Sequence, residues 1–191
     1  MRALISQQAQ ASLLNAYTAA KSVIGAQARL TLPPNYFQNI GQRLRFDVTG
    51  GLSSLTVTPG TITFQIMMGP TSNIIVFTSG AVQMQATAGT TIPFRFTAWL
   101  TLTSVGATTA AAFMGQSEVV SQQLTKTAAQ TTDAQADPIL MAPETAPTIG
   151  TGFDSTAAVV VDFWAGFSIS NAANGIQVAQ YLVTEELGAN G

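Results

Sequence analysis

Apolar and polar side chains alternate with a period of two through most of this chain, and two segments break that rhythm. Successive side chains of a strand point to opposite faces, so such alternation predicts half-buried strands. Leu44, Phe46 and Val48 alternate with Arg43, Arg45 and Asp47 as far as Gly50-Gly51. After the turn "TPG", Ile62, Phe64, Ile66 and Met68 alternate with Thr61, Thr63, Gln65 and Met67. "NIIVFT" (73–78) and "AVQMQAT" (81–87) are predicted as two shorter strands. The strongest pattern is "IPFRFTAWLTLTSVG". There Phe94, Phe96, Ala98, Leu100 and Leu102 face one way, and Arg95, Thr97, Trp99, Thr101 and Thr103 the other. Its expected partner is "ATTAAAFMGQSEVV" at 107–120.

Near the end, Val159, Val161, Phe163, Ala165, Phe167 and Ile169 share one face, with Asp162 and Trp164 on the other. Asn174-Gly175 then marks a hairpin, because both residues tolerate positive φ. In the returning strand Ile176, Val178, Gln180, Leu182 and Thr184 alternate with Gln177, Ala179, Tyr181, Val183 and Glu185. A strict alternation puts Tyr181 and Val183 on an outer face, for an adjacent subunit to cover.

The first exception is "MRALISQQAQASLLNAYTAAKSVIGAQ" (1–27), rich in Ala, Gln and Leu. It reads as an arm with helical tendency, too poor in apolar surface to fold alone. It needs its own barrel or a neighbour to lie on. Pro33-Pro34 ends it, and Tyr36, Phe37 and Ile40 are expected to plug a barrel end. The second exception is 121–156, a long loop in which only "PILMAP" is apolar enough to need a docking surface. The expected fold is all-β. It is a jelly-roll-like sandwich or barrel of about eight antiparallel strands. The barrel domain is 30–191 with the 121–156 insertion, preceded by a partly helical arm at 1–29.

Composition changes this picture in one respect. Only 8% of residues are charged, while 47% are apolar; an ordinary soluble domain carries about 25% charge. Such an under-charged exterior suits a chain covered by neighbours. The charges also segregate: residues 1–100 hold six cations against Asp47, and residues 101–191 hold Lys126 against eight acids. A positive patch could thus meet a negative one on an adjacent copy or a host lattice, or the charges could simply scatter over one surface.

The chain has no Cys and no His. That excludes disulfides, Cys/His zinc sites, Cys nucleophiles and a Ser–His triad. Paired carboxylates would remain for glycoside hydrolysis, among Asp133, Asp137, Glu144, Asp154 and Asp162. These read instead as solvated acids or hydrogen-bond partners, and no enzyme is expected. No calcium-loop, phosphate-loop or dinucleotide spacing is present, so no catalytic, cofactor or metal site is assigned. Seven basic residues spread along the chain predict no nucleic-acid partner. No signal peptide or membrane span is predicted, and the chain is expected to fold in a cytoplasm. The candidate functional residues are therefore contact residues: Arg43 and Arg45 on one strand face, and Trp99 and Trp164 opposite the main core.

Three stretches carry a resemblance. "LPPNYFQNIGQRLRFDVTGGLSS…TPGTITFQIMMG", "PFRFTAWLTLTSVGATTAA" and "VDFWAGFSISNAANGIQVAQYLVTEEL" resemble a group of tailed-bacteriophage virion proteins. In that group an aromatic turn and an Arg-bearing strand open a β-barrel that a Trp-bearing hairpin closes. The resemblance spans roughly 30–120 and 155–187 and rests mostly on structural residues. It implies a jelly-roll structural protein, a capsid decoration or cement protein, forming a homotrimer on the major capsid protein within the virion. It also implies subunit contacts at Trp164, Tyr181 and Glu185 on the closing hairpin. The rival expectation is a phage tail or fibre module that binds a host glycan through Trp99 or Trp164.

Overall fold

The computed structural model describes residues 2–7, 10–55, 57–125, 139–143 and 145–186. The N-terminal segment contributes four short strands, β1 (Arg2–Gln7), β2 (Leu14–Asn15), β3 (Lys21–Ser22) and β4 (Leu30–Leu32). Then follow β5 (Arg43–Ser54), β6 (Thr61–Met68), β7 (Ile74–Met84), β8 (Gly89–Ser104) and β9 (Ala112–Ser121). Three short strands come next: β10 (Leu124–Thr125), β11 (Ile139–Ala142) and β12 (Thr148–Ile149). Last come β13 (Val159–Phe167) and β14 (Gly175–Glu186), which lie in different sheets and do not pair, so the hairpin expected at Asn174-Gly175 is not formed and the chain turns over Asn171–Asn174 instead.

These strands form two antiparallel sheets packed as a sandwich. One runs β1-β14-β5-β8-β9-β11, with β2 also on β14 and β12 also on β9. The other runs β10-β7-β6-β13-β3, with β4 also on β13. Hairpins β6–β7 and β8–β9 stay within a sheet, whereas β5 to β6, β7 to β8 and β13 to β14 cross between sheets.

The alternating apolar residues become the filling. Phe94 and Phe96 from the first sheet meet Phe64 and Phe163 from the second. The ring centroids of Phe96 and Phe163 lie 5.0 Å apart, and those of Phe64 and Phe163 are stacked at 6.0 Å. Phe37, Phe113 and Phe153 form a further aromatic group, with centroids 5.2 to 5.6 Å apart. In the expected plug, Phe37 is buried and Tyr36 half-buried, but Ile40 is exposed. "NIIVFT" and "AVQMQAT" are one strand, β7, that passes through an irregularity at Ser79-Gly80. There the Phe64 amide donates to Ser79 Oγ at 2.9 Å in place of a regular ladder bond.

The helical tendency expected at 1–29 is not realised. Apart from the three-residue 3-10 turn Ala26–Ala28, the regular elements of this segment within the described residues are strands. The cause lies at the end of the chain. β13 and β14 would otherwise present unpaired N–H and C=O groups along a sheet edge. The N-terminal segment satisfies them: β1 and β2 pair with β14, and β3 and β4 with β13. It also drops Tyr17, Val23, Ile24, Ala28 and Leu32 into the core. A single Ala-rich helix offers no comparable burial. The arm thus lies on its own barrel.

β14 contradicts strict alternation. A register shift against β5 falls between Val178 and Gln180. Ile176 and Val178 point inward before it, and Tyr181 and Val183 after it. One extra residue in a β-bulge moves every later side chain to the opposite face. Tyr181 and Glu185 are consequently inside the sandwich and not on a subunit surface. The opposing strand carries Gly50 here because a Cβ would stand 2.0 Å from the Gln177 carbonyl oxygen.

Residues 126–138 and 144, hence Lys126, Asp133, Asp137 and Glu144, lie outside the described residues. Of the rest of the expected loop, Leu124–Thr125 pairs with β7, and the return after residue 138 is tied to β9. "PILMAP" supplies β11, whose Leu140 and Ala142 are buried, and β12 pairs with Gly115 and Met114. Gly150 lets this return run close to β7; a Cβ there would meet the Val76 carbonyl oxygen at 1.9 Å.

Candidate interaction face

The six described carboxylates are all engaged within the chain. Asp162 has no exposed surface. Its Oδ1 accepts from Ser22 Oγ at 2.7 Å and from the Phe163 amide at 2.8 Å. Its Oδ2 accepts from Trp164 Nε1 at 2.8 Å and lies 3.0 Å from Arg29 Nε. Glu185 is buried and receives Gln42 Nε2 at 2.6 Å and the Tyr36 hydroxyl at 2.8 Å. Asp154 caps its own turn, accepting from Thr156 Oγ1 at 2.6 Å and the Thr156 amide at 2.8 Å. These bonds hold its pKa below the ordinary carboxylate value. Asp47 pairs with Arg45 at 2.9 Å, Glu118 with Arg95 at 2.8 Å, and Glu186 with Arg43 at 3.8 Å. Two such acids poised in an open cleft, as glycoside hydrolysis requires, do not occur among the described residues. Nor does any group of three potential metal ligands.

These ion pairs also account for the uneven charge along the sequence. Arg29–Asp162, Arg43–Glu186 and Arg95–Glu118 each join a cation of the first half to an acid of the second. Opposite charges meet inside one copy, which weakens the case for patch-to-patch steering between copies.

The candidate contact residues separate into three groups. Tyr181 and Glu185 are interior. The Tyr181 hydroxyl is held well above its usual pKa by burial first and by the Asp162 charge second. Trp164 is half-buried on the outer side of β13, its indole N–H committed to Asp162 and its strand partner Ser22 supplied by β3. Trp99, Arg43 and Arg45 remain together on the outer face of the first sheet. Directly paired residues share a face; Arg45 pairs with Trp99, Trp99 with Gln116, and Arg43 with Thr101.

That face continues to the β9 side, where sequence reading assigned no contact residue. Thr101 pairs with Met114, and Met114 with Ile149. Val120 pairs with Ile139, and Glu118 with Met141. Met114 is 40% exposed, Ile139 56%, Met141 51% and Ile149 63%. They are four of the nine large apolar side chains exposed among the described residues. The sequence signal for Ile139 and Met141 was the unbroken apolar run in "PILMAP", and Met114 and Ile149 lie outside it. Period-two reading of it gives two buried residues and two exposed ones, Ile139 and Met141. A shallow groove of about 880 Å³ lies beside them, bounded by Thr49, Thr91, Pro93, Arg95 and Ile139 and floored by Gly50-Gly51.

No protein-family model matches this chain, and no curated protein matches it. Among solved structures it is similar to the CBM2 module of the evolved Dit of Lactobacillus casei BL23 phage J-1. The identity is 10% and the TM-score 0.34, over 85% of this chain and 70% of that one. It is also similar to arcelin-5, a lectin-like defence protein of Phaseolus vulgaris, at 10% identity and a TM-score of 0.37, over 96% and 99% of the two chains. Lectin I-B4 of Griffonia simplicifolia gives 9% identity and a TM-score of 0.32, over 92% and 93%. At such low identity nothing about activity passes from them to this chain.

Proposed function

We propose that the chain is a structural protein of a tailed-bacteriophage virion, a decoration protein that cements the capsid by subunit contacts. Its partners in this reading are the major capsid protein and further copies of itself in a homotrimer, and its place is the assembled virion. One observation carries the reading. The described carboxylates are spent on internal bonds, while the outer face of the first sheet offers a broad surface whose charges are paired within the chain, with Trp99 at its centre. Half-exposed Trp and Arg on such a surface are the residue types that anchor interfaces. Several modest contacts made by one oligomer across neighbouring capsid subunits add up to firm attachment. No catalytic step belongs to this role.

The test uses capsid shells stripped of the protein. Added back, it should bind saturably and raise the temperature at which shells open. Trp99→Ala should weaken that binding about tenfold, the order expected of an interface anchor, with the fold intact. Failure to bind, or full binding by the variant, would remove the proposal.

The groove beside Gly50 and Arg95 favours a second reading, a glycan-binding tail or fibre module. Trp164 is unsuited to stacking on sugar because its indole is tied to Asp162. Binding on a glycan array that is lost on Arg95→Ala, together with a low copy number per particle, would favour this second reading.

A further inference from the structure

Asn174 and Gly175 stand where the chain passes from β13 to β14, yet neither takes the positive φ for which the pair is usually found in turns. Each is held there by contact. Asn174 has no exposed surface. Its Oδ1 accepts from the Leu55 amide at 3.0 Å, and its Nδ2 donates to the Pro59 carbonyl at 2.9 Å and the Ile169 carbonyl at 3.2 Å. One primary amide thus clasps the β5-to-β6 crossing to the β13-to-β14 crossing. Gly175 is paired with Ser53 on one side and Asn15 on the other. A Cβ on it would stand 3.0 Å from Leu13 Cδ1 and 3.3 Å from the Leu14 carbonyl oxygen, so the N-terminal segment packs closely over it. Packing has therefore placed a chemically fragile dipeptide inside the protein. Asparagine is thermolabile, and a following glycine, lacking a Cβ, leaves its backbone nitrogen unshielded.

We infer that Asn174 is a latent deamidation site, shielded while the protein is folded, whose conversion keeps the clasp from re-forming. In the step, the Gly175 backbone nitrogen gives its proton to base and attacks Asn174 Cγ. The new N–C bond closes a succinimide ring. The bond from Cγ to Nδ2 breaks, and that nitrogen takes up a proton and leaves as ammonia. Water then opens the ring at either carbonyl, giving aspartate or isoaspartate. The sum is amide plus water to carboxylic acid plus ammonia, with no oxidant or reductant. In the folded chain the side chain must first leave three hydrogen bonds, and Gly175 its place between Ser53 and Asn15. Local opening of this end therefore precedes the chemistry. After conversion, the Pro59 and Ile169 carbonyls face an acid oxygen where an N–H had been, and a carboxylate buried there is expensive. Isoaspartate also adds an atom to the backbone just before the paired Gly175.

The test uses the full chain carrying Asn190→Gln, which removes the other Asn-Gly of the sequence. It is held in mildly alkaline buffer with and without urea, and Asn174 is followed by peptide mapping. Conversion in the native protein should be at least about a hundredfold slower than in urea. Chains converted in urea and then returned to buffer should melt well below unconverted chains taken through the same cycle. Asn174→Asp, made directly, should also melt below its parent; should it fail to fold, the rate and refolding measurements still decide. Equal rates with and without urea would overturn the shielding, and converted chains that melt like unconverted ones would overturn the clasp. Neither result bears on binding to stripped shells at Trp99.

Discussion

Arg29 reaches from the N-terminal segment to within 3.0 Å of Asp162, a carboxylate with no exposed surface in the middle of β13. Ser22, from the same segment, donates to the other oxygen. The segment is therefore fixed both by strand pairing with β14 in one sheet and β13 in the other, and by this buried acid. Removing Asp162 strands the Ser22 hydroxyl, the Trp164 indole and the Phe163 amide together. Asp162→Ala should destabilise the fold by about 3–5 kcal/mol, read from urea unfolding. Arg29→Met should cost clearly less, because three donors still hold the acid and the guanidinium is partly in water. Equal effects, or no effect from Asp162→Ala, would contradict this account.

Gly50 is required by contact, since its φ is unexceptional while the Gln177 carbonyl oxygen occupies the space of a Cβ. Gly50→Ala should force β5 and β14 apart beside the bulge and cost on the order of 3 kcal/mol. Gly80→Ala is the comparison. Nothing stands within 4 Å of its Cβ, so only the positive φ of 67° is penalised, about 1 kcal/mol. Thermal melts of the two variants should rank in that order.

The three tyrosines of the chain, Tyr17, Tyr36 and Tyr181, are all held above their usual ionisation range. Burial is the first cause in each, and the Glu185 hydrogen bond adds to it at Tyr36. A phenol whose folded pKa is raised stabilises the fold below its unfolded pKa and loses that stabilisation as pH climbs past it. Spectrophotometric titration of the native protein should therefore show no tyrosinate step near pH 10, where unfolded tyrosine ionises. Ionisation should instead accompany alkaline unfolding. A step near pH 10 with the fold retained would mean that these rings are more open than described.

Asp154 works in the opposite direction. Its bonds from Thr156 favour the charged form, so the turn is firmest above the ordinary carboxylate pKa and loosens as pH falls through the lowered one. Carbon-detected NMR titration should place Asp154 below the usual value of about 3.9. Thr156→Ala should move it upward by removing the leading cause. An unchanged titration in that variant would show the hydroxyl to be incidental.

Much of the sandwich was legible in the chain itself. Period-two runs at 43–48, 61–68 and 94–103 need only one buried face to declare themselves as strands. Asn174-Gly175 marked where the chain turns, but the turn is Asn171–Asn174 with neither Asn174 nor Gly175 at positive φ, and it crosses to the other sheet instead of closing a hairpin. The absence of His and Cys excluded whole classes of chemistry before any fold was known. Three matters could be decided only in three dimensions. The bulge at Val178/Gln180 put Tyr181 and Glu185 inside, because the choice of face depends on the register with β5 and not on local pattern. Arg2–Gln7, Leu14–Asn15 and Lys21–Ser22 became strands because β13 and β14, far downstream, each had an edge to fill. And the pairing of β11 and β12 with β9 gathered Met114, Ile139, Met141 and Ile149 into one fringe, since residues far apart in sequence acquire a shared surface only through the sheet that joins them.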